Sequence, residues 1–186
     1  LQKEWAFPSA THSYDRLLWD QWVSGNYWEE HQIPKRRRPP LPDNLTTRIR
    51  RLQSDFSLFS PPGERCRTVR DALHGLPDPR SKHETVPNHE FRDGARPYAG
   101  HTGSALDAPS KALKAGDHGV PGGENMLALP DGTYRYYTVR ESARIQTFPD
   151  DYVFSGSWTE AMRQIGNAVP VELAKSVGTS ILEQVA

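Results

Sequence analysis

Cysteine is almost absent from this sequence, since Cys66 is the only one among 186 residues. A single cysteine excludes an internal disulfide framework and a cysteine-rich metal site, and it fits a reducing compartment. The seven histidines are scattered without the spacing of metal ligands, so we predict no metal site. No run approaches the ~18 consecutive apolar residues of a membrane span, and there is no secretory segment. We therefore expect an intracellular protein, cytoplasmic or nucleoid-associated in a bacterium and nuclear in a eukaryote.

Apolar residues are also scarce, at 35% of the chain, whereas there are 16 prolines and 14 glycines. This composition is too rich in turn-forming residues for one large core, yet not polar enough for a disordered chain. Five tryptophans, seven tyrosines and six phenylalanines supply large packing groups. The sequence therefore predicts a folded, loop-rich protein with a small core that depends on a partner surface. The first residue is Leu1 rather than methionine, which favours a piece of a longer protein.

The formal net charge is zero, but the charges are unevenly distributed along the chain. Between Lys35 and Arg70 there are ten basic residues and three acidic ones. A block of this kind indicates either a surface that faces a polyanion or an ordinary solvated face. The sequence alone leaves both interpretations open.

Apolar spacing and capping residues predict five helices. They are a short helix with Leu17, Leu18 and Trp22 on one face, residues 43–53, residues 68–75, the segment from Thr138 to Pro149, and a terminal helix from Pro170. The second of these would be capped by Asp43 or Asn44. Residues 31–43 hold four prolines and predict an extended connector, whereas residues 80–125 lack a helical period and predict loops. Residues 126–138 predict a β-hairpin with its turn at "PDGT".

Two of these helices begin with a capping box, the reciprocal pair of bonds between a hydroxyl residue and an acidic residue three positions later. Thr68 with Asp71 forms one such pair, and Thr138 with Glu141 forms the other. Pro149 is expected to end the helix that Thr138 begins. The terminal helix repeats apolar residues every four positions, at Leu173, Val177 and Ile181.

The stretch "RQIGNAVPVELAKSVG", residues 163–178, contains a turn that leads into the terminal helix. The N–H groups at a helix start are unpaired and attract anionic groups. Gly166 allows close approach of another backbone, the Asn167 amide can donate and accept, and Pro170 fixes the first helical turn. The stretch therefore predicts either a binding corner for a carboxylate or phosphate, or simply a well-capped helix.

Two blocks read together resemble the end of the DNA cytosine-5 methyltransferases. "TVRESARIQTFPDDYVFSGS" (138–157) resembles the ninth conserved motif of that family, and "RQIGNAVP" (163–170) resembles the tenth. "FPSATHS" (7–13) resembles the segment that follows the eighth motif. The stretches "TVRDALHGLPDP" (68–79) and "HTGSALDAPSKALKAGDHGVPGGEN" (101–125) resemble the variable region before the ninth motif.

The resemblance implies methyl transfer from S-adenosylmethionine to carbon 5 of cytosine in duplex DNA. The family flips the base out of the helix, and a cysteine thiolate attacks it. By this similarity, the cofactor contacts are Asn167, Ala168 and Val169, with Gly166 and Pro170 shaping the turn. The charged residues of the ninth motif, Arg140, Glu141 and Arg144, are expected to be buried and hydrogen-bonded, tying the recognition region to the catalytic domain.

DNA is then the expected polyanion. The side chains expected to neutralise its phosphates are Arg36, Arg37, Arg38, Arg48 and Arg51. In the loop region the expected DNA contacts are Asn88, Arg92, Arg96, His101 and the loop 118–125.

Several family features are missing from this chain. Cys66 lies in "GERCRTV" without the preceding proline of the family's catalytic loop, although Arg65 and Arg67 could lower its pKa. The glycine-rich cofactor loop, the Glu-Asn-Val segment and the Gln-x-Arg-x-Arg of the eighth motif are also absent. We therefore expect no catalytic residue here and an inactive chain when alone. The chain would be a piece of a longer methyltransferase or the second subunit of a split enzyme, and either leaves an apolar stripe of the last helix exposed.

The expected fold is mixed α/β. Residues 1–30 would follow the catalytic domain, residues 31–133 would form a loop-rich target-recognition region, and residues 134–186 would complete a Rossmann-like methyltransferase domain. The expected partners are duplex DNA and the catalytic half of the enzyme, in a setting such as restriction-modification. Two other hypotheses remain: a stand-alone DNA-binding module without catalysis, and a protein–protein adaptor.

Overall fold

The computed structural model describes residues 5–81, 86–115 and 123–185. They form two compact units. The continuous unit is the single stretch 9–67, and the discontinuous unit combines residues 5–8 with residues 68–185. The divisions expected after residues 30 and 133 assign functional roles to segments and do not describe compact units. They stay a prediction.

The continuous unit contains three α-helices and two very short strands. These are β1 (His12–Ser13), α1 (Tyr14–Trp22), α2 (Asn26–Glu30), α3 (Thr46–Asp55) and β2 (Glu64–Arg65). One-turn 3-10 helices at Lys35–Arg37 and Asp43–Leu45 lie in the connector between α2 and α3. Strand β1 pairs in parallel with β2, with His12 opposite Glu64, so the two ends of this unit lie together.

Helix α1 organises two small apolar clusters within this unit. Leu17 packs against Tyr27 and Trp28 of α2, whereas Leu18 packs in a cluster with Ile49 and Leu52 of α3. All six side chains are buried. Because neighbouring positions on a helix point in different directions, one helix holds both others. The predicted short helix is confirmed as α1, but Leu17 and Leu18 enter two clusters rather than one face, and the partly buried Trp22 packs against both clusters.

The start of α3 differs from the prediction of a side-chain cap. Neither Asp43 nor Asn44 caps the helix, and the residue at its N-cap position is Leu45. Both polar residues lie in the 3-10 turn that leads directly into α3, and the Thr46 N–H donates to the Asp43 carbonyl. The turn supplies acceptors for the first N–H groups, so a capping side chain is unnecessary.

The discontinuous unit surrounds one apolar core. Its elements are α4 (Val69–Leu73), β3 (Ser104–Ala105), β4 (Met126–Ala128), β5 (Tyr134–Tyr136), α5 (Val139–Ile145), α6 (Trp158–Asn167) and α7 (Val171–Val185). Strand β4 is central in a three-stranded sheet, parallel to β3 and antiparallel to β5. The core contains Val69, Leu127, Tyr137, Met162 and Ile165. The prediction of a mixed fold built from short strands, helices and many loops is confirmed.

Both predicted capping boxes are present, and so is the predicted hairpin of β4 and β5. At α4 the Thr68 N–H donates to the Asp71 carboxylate at 2.6 Å. At α5 the Thr138 N–H donates to Glu141 at 2.9 Å, and the Glu141 N–H returns a bond to the Thr138 hydroxyl at 3.1 Å. These signals succeed because each depends on residues three positions apart.

Helix α6 was not predicted from the sequence, which was interpreted as passing from the ninth motif to the tenth without a helix. The local signal existed. Ser157 accepts a hydrogen bond from the Glu160 N–H at 3.3 Å, as an N-cap does. Ala161, Met162 and Ile165 then bury one face of the helix.

The predicted end of α5 also differs from the observed one. The helix ends at Ile145 rather than at Pro149. Thr147 adopts a left-handed backbone conformation, with φ of 59°, which turns the chain before the proline is reached.

The terminal helix is confirmed as α7, and its apolar side is exposed as predicted. Leu173 is 51% exposed and Ile181 is 46% exposed, whereas Val177 between them is half-buried. Leu182, which is 66% exposed, lies on the opposite side of the helix from Leu173. Trp5 reaches this helix, since its indole N–H donates to the Ser180 hydroxyl at 3.2 Å. Within the described residues, no helix has the length and apolar character needed to cross a membrane.

Candidate functional site

The turn between α6 and α7 presents exposed side chains on a fixed backbone. Asn167 ends α6 and is exposed, and Val169 is 60% exposed. The Val171 N–H donates to the Gln146 carbonyl at 3.1 Å, and the Glu172 N–H donates to the Thr147 hydroxyl at 2.9 Å. Two of the helix-start N–H groups expected to be unpaired are therefore paired inside the chain. What the turn offers to a ligand is its side chains and its exposed surface.

Gly166 serves a close packing contact within the chain. A Cβ at this position would lie 2.4 Å from the Ala115 nitrogen and 2.7 Å from the Lys114 carbonyl carbon. Backbone atoms cannot swing away as a flexible side chain can, so glycine is required here. We call residues 111–115 the strap, because this segment crosses α6 at Gly166.

The strap is held from both of its sides. The buried Asn125 amide donates to the Lys114 carbonyl at 3.1 Å and accepts from the Lys114 N–H at 3.3 Å. Leu113 is buried in the apolar core. The close backbone approach predicted at Gly166 is thus occupied by another part of this chain.

Arg140 of α5 is completely buried. Within the described part of the chain, its guanidinium forms hydrogen bonds only with backbone carbonyls. Its guanidinium donates to the carbonyls of Pro87 at 3.2 Å, Pro149 at 3.2 Å and Tyr152 at 2.9 Å. A buried charged group needs such partners, because leaving it unsatisfied would cost several kcal/mol. Arg140 therefore joins the segment between α4 and β3 to the loop after α5.

Glu141 combines its capping bond with a buried ion pair. Its carboxylate accepts two bonds from Arg135 of β5, at 2.7 and 2.6 Å. The pair is bidentate and almost inaccessible to solvent. It fixes the hairpin against the first turn of α5.

Arg144 links α5 to two other segments. It donates to the Asp150 carboxylate at 2.7 and 2.6 Å and to the His74 carbonyl at 2.7 Å. The bonds from the guanidinium hold the pKa of the Asp150 carboxyl below its ordinary value. The geometry of Arg140, Glu141 and Arg144 is that of structural residues, and their role in an enzyme stays a prediction.

Asn88 and His89 form a lock that the sequence did not reveal. Asn88 has φ of 63°, and its amide donates to the Phe154 carbonyl at 3.0 Å and accepts from the Phe154 N–H at 2.8 Å. His89 is buried between the Thr138 hydroxyl, at 2.8 Å, and the Pro77 carbonyl, at 2.9 Å. Asn88, expected to contact DNA, uses its amide inside the fold instead. Its partner lies 66 residues away, so no local signal could identify it.

The arginines expected to bind phosphates in the continuous unit differ in whether their side chains are already bonded within the chain. Arg36 and Arg37 are exposed and form no ion pair with any residue that the structure describes. Arg38 donates to the Ile33 carbonyl at 3.1 Å. Arg48 is held by Asp15 at 2.7 Å, whereas Arg51 lies 3.9 Å from Asp55. Arg36, Arg37 and Arg51 are therefore the most accessible cations of this set.

The loop arginines lie in the discontinuous unit. Arg92 stacks over the Trp158 ring, 4.3 Å from its centre, at a cleft of about 290 Å³. Arg96 is exposed, and His101 contacts Glu124 at 3.2 Å and the ring of Tyr98. Most of the loop 118–125, from 118 to 122, lies outside the described residues. The DNA contacts of these residues stay a prediction.

Cys66 is not activated by its neighbours. Burial raises the pKa of the Cys66 thiol, and the flanking Arg65 pairs with Glu30 at 2.9 Å. The idea that flanking arginines lower this pKa is therefore wrong. A raised pKa leaves less thiolate at neutral pH, which is the opposite of what a nucleophile requires.

Comparison with known proteins gives consistent matches. The family model described as C-5 cytosine-specific DNA methylase matches residues 22–183. The type II methyltransferase M.MthTI of Methanothermobacter thermautotrophicus is 33% identical over 93% of this chain and 62% of its own length. M.AplI of Arthrospira platensis is 44% identical over 41% of this chain and 22% of its own. M.Sau96I of Staphylococcus aureus is 57% identical over 28% of this chain and 12% of its own. The chain spans less than two thirds of each of these relatives.

Proposed function

The chain belongs to the family of C-5 cytosine-specific DNA methylases, and from this premise we propose that it supplies DNA recognition and part of the cofactor pocket of a DNA (cytosine-5)-methyltransferase. The reaction is methyl transfer to carbon 5 of cytosine in duplex DNA, in a setting such as the type II systems of its relatives. The nucleophilic cysteine and the main cofactor loop lie on a catalytic part, attached or separate. The chain alone is inactive, because Cys66 lacks both the family's sequence context and a lowered pKa.

One observation carries this proposal: an exposed apolar helix face follows directly after an exposed turn that carries the Asn167 amide. On the face of α7 that the apolar spacing predicts, Leu173 is 51% exposed and Ile181 is 46% exposed. Full burial of a leucine-sized side chain contributes ~1.5–3 kcal/mol, so covering one that is half exposed contributes about 1 kcal/mol, and covering several gives a partner surface a driving force. We assign this face to the catalytic part of the enzyme, with Trp5 beside it at Ser180.

The turn residues fit a role at the edge of a pocket for S-adenosylmethionine. When bound, this cofactor supplies the methyl group. The exposed Asn167 amide can donate to and accept from its polar end, and the exposed Val169 offers apolar contact. The bonds of Val171 and Glu172 to the segment after α5 hold the turn in place, which orients Asn167 before any ligand arrives.

DNA binding is assigned to the arginines of both units. Arg36, Arg37, Arg38, Arg48 and Arg51 belong to the continuous unit, and Arg92 and Arg96 to the discontinuous one. Each contact with a phosphate releases condensed counterions, so affinity should fall steeply with salt. Arg48 must exchange its bond with Asp15 for a phosphate, whereas Arg36 and Arg37 need no such exchange.

The experiment adds a separately produced catalytic polypeptide, bearing the family's cofactor loop and Pro-Cys loop, to this chain. We expect native mass spectrometry to show a complex and titration calorimetry to show cofactor binding by the pair. Asn167→Ala should weaken cofactor binding about 5–10-fold, as the loss of one or two hydrogen bonds predicts. Gln164→Ala, an exposed amide on the same helix, is the matched control and should change nothing.

Two results would contradict the proposal. The first is a chain that stays monomeric beside the catalytic polypeptide yet binds duplex DNA, which would favour a stand-alone DNA-binding module. The second is a complex in which Asn167→Ala and Gln164→Ala bind the cofactor equally well, which would remove the turn from the pocket.

A further inference from the structure

A cleft of about 290 Å³ in the discontinuous unit lies between the loop before β3 and the start of α6. We call it the Arg92 cleft. Glu90, Phe91 and Arg92 line it from the loop, and Trp158 lines it from the first turn of α6. Pockets for small molecules usually measure ~300–1,000 Å³ and are mostly apolar. Because two of the three loop side chains are charged, the Arg92 cleft suits the polar edge of a larger partner.

Trp158 forms a fixed wall of the Arg92 cleft. Its indole N–H donates to the Tyr137 carbonyl at 3.2 Å, and the Tyr136 ring meets it edge-on at 5.5 Å. The Arg92 guanidinium lies over the tryptophan ring, 4.3 Å from its centre. A cation in this position is attracted by the ring. The ring therefore limits where the guanidinium can lie, which lowers the entropic cost of any further bond that it makes.

Both charged side chains of the Arg92 cleft are available to a partner. Arg92 and Glu90 are exposed, and neither side chain forms a hydrogen bond or an ion pair with a residue in the described part of the chain. The backbone that leads to them is fixed, because the Asn88 amide bonds to both backbone groups of Phe154. A guanidinium only donates and a carboxylate only accepts. The cleft therefore offers donors and acceptors together.

The charges around the cleft favour the edge of a base over a phosphate. Glu90 lines the cleft together with Arg92, and Asp93 follows directly in the chain. Further charged side chains beside the cleft are combined in ion pairs, which are Arg80 with Asp78 and Arg163 with Glu160. A phosphate attracted by Arg92 would be repelled by the unpaired carboxylate of Glu90. The edge of a base carries no net charge and escapes this repulsion.

A G·C base pair matches the two side chains. In the major groove guanine presents the acceptors O6 and N7, for which a bidentate arginine is the commonest partner. The paired cytosine presents its N4 amino group, whose hydrogen a glutamate accepts. An A·T pair would instead place the adenine N6 amino group, a donor, against the donors of Arg92.

We propose that the Arg92 cleft reads one G·C base pair of duplex DNA from the major groove, with Arg92 donating to guanine and Glu90 accepting from cytosine. This inference rests on the proposed function and deepens it, since it replaces an unspecified DNA contact of Arg92 by contact with a particular base. Trp158 acts as a positioning residue, because it holds the Arg92 guanidinium.

The test measures base preference at each position of the bound DNA. The chain, paired with the catalytic polypeptide described above, is mixed with duplexes randomised around one cytosine, and the bound fraction is sequenced. We expect Arg92→Ala to reduce the preference for guanine about 10-fold at a single position, as the loss of one bidentate contact predicts. Glu90→Ala should weaken the preference for the same base pair. Arg92→Gln should move the preference at that position towards adenine, since glutamine pairs with adenine.

Two controls separate base reading from other effects. Arg96→Ala removes an exposed arginine of the same loop, and it should weaken binding to all sequences alike without changing the base preference. Trp158→Phe keeps a ring beneath the guanidinium and should retain the preference for guanine, whereas Trp158→Leu should reduce it. Thermal unfolding verifies that each variant remains folded.

A uniform loss of affinity in Arg92→Ala, with the slope of affinity against salt reduced by about 1, would overturn the inference, because Arg92 would then bind a phosphate. An unchanged base preference would overturn it as well. If that variant bound DNA normally but lost the catalytic polypeptide, the cleft would be a protein contact instead. None of these results touches the proposed function, which fails separately if the unaltered chain binds neither DNA nor the catalytic polypeptide.

Discussion

Replacing Gly166 by alanine tests whether this glycine is required by packing inside the fold. The new Cβ would lie 2.4 Å from the Ala115 nitrogen, 2.7 Å from the Lys114 carbonyl carbon and 3.0 Å from the Ala115 Cα. Ordinary contacts between heavy atoms lie at ~3.5–4.0 Å, so the strap or α6 must move by about 1 Å. The strap resists movement, because Asn125 bonds both backbone groups of Lys114.

The size of the effect is the difference between two opposing contributions. Overpacking of this kind costs ~1–3 kcal/mol, and straining the two Asn125 bonds adds to that cost. Alanine is the better helix former by up to ~1 kcal/mol, and Gly166 lies within α6. We therefore expect Gly166→Ala to lower the free energy of unfolding by ~1–3 kcal/mol.

Gly178→Ala provides the matched control for this measurement. Gly178 lies within α7, and a Cβ there would have nothing within 4 Å. Helix propensity then acts alone, and this variant should gain up to ~1 kcal/mol. Urea unfolding of both variants, followed by circular dichroism, gives the comparison. The reasoning is refuted if Gly166→Ala is as stable as the unaltered chain while Gly178→Ala is stabilised.

Two further predictions concern pH. The Arg144 bonds lower the pKa of Asp150, so their stabilisation is present above the ordinary carboxyl pKa of ~4 and is lost as pH falls through the folded value. Because Asp150 is more than half exposed, Asp150→Asn should lower the free energy of unfolding by at most ~1 kcal/mol at pH 7 and should not change it near pH 2. Asp151→Asn serves as the control. Equal urea midpoints for Asp150→Asn and the unaltered chain at both pH values would contradict this prediction. Burial raises the pKa of Tyr137 to about 12, above its ordinary value of ~10, so stability is complete below pH ~10 and is lost as pH rises through about 12. Phenylalanine cannot ionise, so between pH ~10 and about 12 Tyr137→Phe should lose ~2–3 kcal/mol less folding stability than the unaltered chain. Alkaline unfolding curves that superimpose for the two proteins would exclude this explanation.

Local signals predicted the parts of the fold that depend on residues close in sequence. The capping box of Thr138 and Glu141 and the exposed apolar face of α7 could be read directly, because each follows from spacing along one element. The same logic would have found α6 from Ser157 and its apolar triplet. Where a local rule failed, as at Asp43, a neighbouring 3-10 turn had already supplied the acceptors that a cap would provide.

Contacts between distant segments could not be predicted in this way. The residue type at Asn88 allowed a base contact, an N-cap or a backbone lock equally well, and only the fold brings Phe154 to it. Arg140 was expected to be buried and bonded, but its three carbonyl partners come from loops whose paths the sequence does not specify. The chemistry of a side chain limits what it can bind, whereas the tertiary path decides which partner it meets.

Gly166 and Asn167 are neighbours, but the structure separates what each can do. Gly166 is pressed against the strap, so its replacement acts on stability and reaches any ligand only through unfolding. Asn167 is exposed at the end of α6, and its side-chain amide forms no hydrogen bond with any residue that the structure describes, so Asn167→Ala should leave the urea midpoint unchanged. If both variants weakened cofactor binding, only the Gly166→Ala effect should disappear when conditions restore full folding. Persistence of the Asn167→Ala effect under those conditions would assign the turn's binding role to its side chain, and its disappearance would show that the whole turn is structural.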